Sequence, residues 1–102
     1  MSVPLVAVVA FNHFSPFHLS VPCIIFGDLL HDQKLFDLRI YAYESGTLRS
    51  NEGLRVESSL SAVELAQADI IIVPSWRDPA EKPERSLLEA LVTAYARGSQ
   101  IV

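Results

Sequence analysis

The side chains best suited to chemistry in this sequence are Asn12, the histidines at 13, 18 and 31, Cys23, Glu44, and the run Trp76-Arg77-Asp78. A metal site needs histidines one helical turn apart or clustered with thiolates and carboxylates. His13 and His18 are five apart, matching neither i, i+3 nor i, i+4 on a helix face, and no metal ligand is expected. A reactive thiolate needs a helix N-terminus, a basic neighbour or a metal to lower its pKa. Cys23 instead follows Pro22 and precedes Ile24-Ile25, in mid-helix, and reads as a small buried hydrophobe. No catalytic residue and no cofactor are expected within the chain.

Ligand binding has better candidates. Trp76 and Arg77 place an indole beside a guanidinium, a pairing suited to an anionic or planar metabolite. The ordinary alternative is that Trp76 packs on the domain surface while Arg77 and Asp78 pair and cap the loop. His18 stands near the end of the first apolar run, as a polar group facing a ligand or as a surface or capping histidine. Asn12 directly follows that run, where it lines the same crevice or makes a turn bond to its own backbone; the turn is favoured. Glu44 reads as a turn residue. The candidate ligand-binding residues are therefore Asn12, His18, Trp76 and Arg77.

The elements that must position them are legible from periodicity. Val3 to Phe11 is a nearly unbroken apolar run, the pattern of a strand buried on both faces. Ser15-Pro16 has the form of a helix N-cap and first position, and Leu19, Cys23, Phe26 and Leu30 fall on one helical face over 17–30. Pro22 interrupts this segment, so either the helix is kinked there or it starts at Ser20 after an irregular turn. Leu35 to Tyr43 alternates, with Phe36, Leu38, Ile40 and Ala42 on one face and Asp37, Arg39, Tyr41 and Tyr43 on the other, as in a strand at or near a sheet edge. Residues 44–47 turn the chain, and 47–49 with 54–56 read as a small hairpin. Ser61 to Glu64 fits a capping box opening a short helix to about Ala68. Asp69 to Pro74 is a second buried strand. A helix follows over about 83–97 with an apolar stripe of Leu87, Leu88, Leu91, Val92 and Tyr95, and Gly98 stands where a helix-ending glycine belongs. Gln100-Ile101-Val102 begins a further strand.

Strands alternating with helices imply an α/β fold: a three-layer, flavodoxin-like, doubly wound and mainly parallel sheet. Such sheets bind ligands outside the carboxyl ends of their strands, which singles out residues 12–18, 44–46 and 74–78. With the last strand only begun, the chain is expected to be the N-terminal half of such a domain. The 102 residues suit one domain, and 50% hydrophobic with 20% charged residues supplies a core rather than a disordered chain. A net charge of −4, with eight basic residues of which no two are adjacent, argues against nonspecific nucleic-acid binding by this segment. One cysteine cannot form an internal disulfide. The apolar N-terminal run lacks a preceding basic residue and falls well short of the roughly 20 residues a membrane helix needs, so a cytoplasmic, non-membrane protein is expected.

Several stretches together resemble a known family. They are Val-Ala-Val-Val-Ala-Phe over 6–11, Glu44-Ser-Gly-Thr-Leu-Arg49 followed by Gly53-Leu54, the Ser-Leu-Ser-Ala-Val-Glu-Leu helix over 59–65, and Asp69-Ile-Ile-Ile-Val-Pro-Ser-Trp-Arg77 leading to a helix that ends Ala96-Arg97-Gly98. The pattern, spanning essentially the whole chain, resembles ThiJ/PfpI domains of the class I glutamine amidotransferase-like superfamily. The Val-Pro-Ser-Trp-Arg stretch is most similar to the N-terminal sensing domains of AraC-type transcriptional regulators.

The resemblance implies a sheet domain about twice this length, followed in regulators by a helix-turn-helix domain. Catalytic members carry a nucleophilic cysteine in a turn that falls past Val102, and a glutamate near the start of the first helix. Aligned on Phe26-Gly27, that glutamate's position holds His18, and a second acidic position holds Ile24. Both departures point away from hydrolase or glyoxalase-type chemistry. The expected protein is therefore a non-catalytic ligand-sensing and dimerising domain, with an unidentified small-molecule effector, homo-oligomerisation, and DNA contact only through a domain absent from this chain. The alternative is a fragment of a cysteine-dependent ThiJ/PfpI hydrolase or glyoxalase-like enzyme; a third reading is an interaction module pairing through the sheet edge at Val102.

Overall fold

The structure, a computed structural model, describes residues 3–28, 35–44, 47–58, 60–76, 78 and 80–102. Its main sheet has four parallel strands: β1 (Leu5–Ala10), β2 (Asp37–Ala42), β5 (Ile70–Ile72) and β6 (Gln100–Ile101), in the order β2-β1-β5-β6. The second strand lies to one side of the first and later strands to the other, which is the flavodoxin-like winding the sequence implies. β3 (Leu48–Arg49) and β4 (Arg55–Val56) form the separate antiparallel hairpin. Gly53, at φ 92°, takes the left-handed conformation its turn requires.

β1 is central and buried from Val6 to Ala10, as is Phe11 just after it. An unbroken Val/Ala run is stable there because both faces of the strand are covered, each fully buried valine contributing roughly 1.5–3 kcal/mol. Register assigns the faces. Val6, Val8 and Ala10 align with Leu38, Ile40 and Ala42; on this side Gly27 approaches Leu38 so closely that an added Cβ would lie 3.3 Å from it. Ala7 and Val9 align with Arg39 and Tyr41 on the other side, where the Glu84 N–H, at the start of α3 (Arg85–Ala96), donates to the Tyr43 hydroxyl at 2.5 Å. Helices thus cover both faces: α1 (Pro16–Cys23) packs on β1 and the turn after it on β2, while α2 (Ala62–Ala66) and α3 pack on each other.

The two starts left open for the first helix resolve in favour of Ser15. Ser15 is the N-cap, accepting from the His18 N–H, and α1 (Pro16–Cys23) begins at Pro16. α1 continues through Pro22 and then widens into a π-helical turn, Ile24–Asp28. Proline has no N–H to donate and its ring pushes away the carbonyl four residues back, so the bond ladder is displaced. The expected apolar face is modified accordingly. Leu19 is buried and Cys23 and Phe26 are partly so, whereas Phe17, Val21, Ile24 and Ile25 are exposed; Leu30 and His31 lie outside the described residues.

Two further expectations are corrected. Along β2 the alternation holds, but Tyr41 and Tyr43, from the charged face, are more deeply buried than the Phe36, Leu38, Ile40, Ala42 set. Their rings turn under the start of α3, leaving Arg39 at the exposed end of the same face paired with Asp37 at 3.1 Å. On α3 the buried stripe is Leu87, Ala90 and Ala94 with Leu91 partly covered, whereas Leu88, Val92 and Tyr95 are exposed. Alanines let α3 approach α2 closely, so small residues rather than the largest apolar ones define the packed side. The remaining local expectations stand: Ser61 and Glu64 form a reciprocal capping box, and Gly98 ends α3 at φ 102°. Beyond it the Arg97 guanidinium donates to the Gln67 carbonyl at 3.1 Å and to the Ser99 hydroxyl at 2.9 Å, tying the end of α3 to that of α2.

Candidate functional site: a polar cleft at the carboxyl end of the central strands

Beyond the carboxyl ends of β1 and β5, three rings close one side of the sheet. Trp76 lies 5.2 Å from Phe11 and 5.5 Å from Tyr43, centroid to centroid, both inclined. The indole N–H donates to the Glu81 carbonyl at 2.9 Å. Trp76 therefore packs over the end of the sheet with its polar atom satisfied locally. Arg77 lies outside the described residues. Asp78 holds its own loop, accepting from the Ala80 N–H at 2.9 Å, a bond that favours the loop-capping alternative for this residue.

The open space lies on the β2 side of β1. A cleft of about 540 Å³ is lined by Asn12, His13, Glu44, Arg49, Ser50 and Asn51, within the range of small-molecule sites. Asn12 is its hinge. Its backbone N–H donates to Glu44 Oε1 at 2.8 Å and its side-chain oxygen accepts from the Arg49 N–H at 2.9 Å. The His13 N–H donates to the Arg49 carbonyl at 2.7 Å. The end of β1 is thereby clamped to the end of β2 and to the hairpin. Asn12 both lines the crevice and makes a local structural bond, though to the hairpin rather than to its own backbone.

His13 adopts φ 65°, the only non-glycine residue with positive φ among those described. This conformation is uncommon for a side chain with a Cβ. It is held by the Arg49 carbonyl and by a 2.6 Å bond between Nδ1 and Asn51 Oδ1. The Arg49 guanidinium has no hydrogen-bond or ion-pair partner among the described residues.

His18 does not line this cleft. It is exposed on the first turn of α1, its Nδ1 2.8 Å from the Ser15 hydroxyl and its ring edge-on to Phe17. Cys23 is partly buried, and burial pushes its thiol pKa up, which suits a packed thiol rather than a nucleophile. Among the described residues no group of three or more histidine, cysteine, aspartate or glutamate side chains is placed to hold a metal, and no helix is long and apolar enough to cross a membrane.

Of the four candidates from the sequence, Asn12 and Trp76 are adjacent to the strand ends, His18 is apart from the cleft, and Arg77 is not described. Arg49, Ser50 and Asn51 are not among the candidates read from the sequence, where His13 enters only as a metal ligand. The available signal was Asn12-His13 ending a buried strand and Ser50-Asn51 turning a hairpin, but nothing local says that the two meet.

A parallel sheet in this winding, with helices on both faces and polar residues at the strand ends, defines the chain as about half of a flavodoxin-like α/β domain. Solved structures share that fold. A DJ-1 superfamily protein from Agrobacterium tumefaciens is 12% identical, with a TM-score of 0.72 over 97% of this chain and 52% of its own. An AraC family transcriptional regulator from Pseudomonas putida is 24% identical, with a TM-score of 0.69 over 96% of this chain and 54% of its own. A protein from Vibrio parahaemolyticus described as a transcriptional regulator is 17% identical, with a TM-score of 0.75 over 98% and 55%. The chain spans about half the length of these structures. No family model and no curated protein matches it.

Proposed function

We propose that this chain is the N-terminal part of a non-catalytic ligand-sensing and dimerising domain of an AraC-type transcriptional regulator. The observation that carries the reading is the likeness to the Pseudomonas putida AraC family regulator across 96% of the chain, in the same direction as the Val-Pro-Ser-Trp-Arg stretch. The cleft beside β1 supplies a place for a small effector. The protein is cytoplasmic in this reading, and DNA is reached through a separate domain.

Two features support a non-catalytic role. His18 occupies the position of the family's catalytic glutamate, and its ring is engaged with its own N-cap rather than turned toward the cleft. Cys23, with its raised pKa, is a poor nucleophile. Self-association is supported by α1 and the π turn. Phe17, Val21, Ile24 and Ile25 are exposed within a stretch, 11–27, that holds no Asp, Glu, Lys or Arg. An uncharged face can meet its own copy without repulsion, as a two-fold interface requires.

The test of the non-catalytic role uses the full product of the parent gene, assayed for turnover of methylglyoxal and of a small activated ester. No turnover above buffer is expected. Turnover that disappears when a cysteine downstream of Val102 is replaced by serine overturns the reading in favour of a ThiJ/PfpI-type enzyme.

A further inference from the structure

We infer that the cleft between β1 and the β3–β4 hairpin binds a small carboxylate that also carries a hydrogen-bond donor, either a hydroxyl or an ammonium group. The inference takes its purpose from the sensing reading above and assigns a ligand class to the site.

The cleft offers a cation and an acceptor in one space. Arg49 is among the residues that line it, and its guanidinium has no hydrogen-bond or ion-pair partner among the described residues. A guanidinium fork matches a carboxylate bidentately, so this is the natural seat for a carboxylate. Arg49 is held in place through its backbone, by Asn12 on its N–H side and His13 on its carbonyl side, leaving the side chain available.

The acceptor is the second imidazole nitrogen of His13. The Asn51 side-chain oxygen only accepts, so the 2.6 Å contact fixes Nδ1 as the donor. In the neutral imidazole this leaves Nε2 as an acceptor, with no partner among the described residues. A ligand donor answers it. The unusual φ of His13 aims a rigid ring at a fixed place, a cost that structures carry where a side chain must be positioned.

The experiment is an amide-resonance titration of the full product of the parent gene at constant ionic strength with L-lactate, L-alanine, acetate and inorganic phosphate. Lactate or alanine is expected to shift the amides of Asn12, His13 and 49–51 saturably, and whichever of the two binds more tightly identifies the donor as hydroxyl or ammonium. Acetate, lacking the donor, is expected to bind at least about tenfold more weakly. Arg49→Gln, a change at a guanidinium with no hydrogen bond or ion pair among the described residues, is expected to abolish the shifts while leaving the spectrum folded. Acetate or phosphate binding as tightly as lactate and alanine overturns the donor assignment. Shifts that persist in Arg49→Gln, or the absence of saturable shifts at these amides, overturn the site. Saturable shifts confined instead to residues around His18 or Trp76 overturn this cleft while leaving the sensing reading standing.

Discussion

The backbone N–H of Asn12 donates to the Glu44 carboxylate at 2.8 Å, joining the second residue after β1 to the second residue after β2. A strand-end amide has no ladder partner, and an ionised carboxylate is among the strongest acceptors available to it. The bond gives the floor of the polar cleft a fixed shape.

Removing that acceptor has a definite cost. Glu44→Ala is expected to destabilise the fold by about 1–3 kcal/mol, because a part-buried donor loses its partner. Urea denaturation measures the change. A midpoint equal to that of the wild type contradicts the clamp.

Glu64 gives a pH signature. The Ser61 backbone N–H and then the Ser61 side chain, with a further contribution from Arg39, hold its carboxyl below the ordinary value of 4.5. A depressed folded-state pKa contributes stability that is fully present above the unfolded value and is lost as pH falls through the folded one. Amide exchange in α2 is therefore expected to quicken below about pH 4.5, and Glu64→Gln to flatten that dependence. An unchanged pH profile in the variant counts against the capping box as its source.

The packed side of α3 can be tested by size. Ala94→Leu is expected to cost about 1–3 kcal/mol through overpacking, whereas Val92→Ser, at an exposed position, is expected to change stability by no more than about 0.5 kcal/mol. Thermal or urea unfolding of both variants decides. The reverse order restores the stripe drawn from the large apolar residues.

The uncharged face of α1 predicts a monomerising substitution. Ile25→Glu places a charge on the exposed apolar patch and is expected to shift the chain from dimer to monomer in sedimentation or light scattering at micromolar concentration. A wild-type chain that is monomeric under the same conditions contradicts the interface.

Elements whose stability is local were legible in the sequence. The Val-rich β1, the Ser61 capping box, Gly98 and the hairpin each depend on neighbours within a few residues, and each lies where its residues require. What failed to read through was set by partners distant in sequence. The burial of Tyr41 and Tyr43 depends on the start of α3, some 40 residues away in the bond from Glu84 to Tyr43. The phase of α3 is set by its packing against α2, which Ala90 and Ala94 face with small side chains. The site suffered most, because Asn12 and His13 meet 49–51 only through the sheet topology, and a histidine at positive φ leaves no trace in its residue type.

The central claim is that this chain is half of a regulator's sensing domain, and the most direct measurement is the sequence of the parent gene past Val102. The account predicts completion of the α/β sheet followed by an arginine-rich double helix-turn-helix region. A cysteine-bearing turn and a histidine completing the sheet domain, with a stop codon and no basic helical region after them, would contradict it.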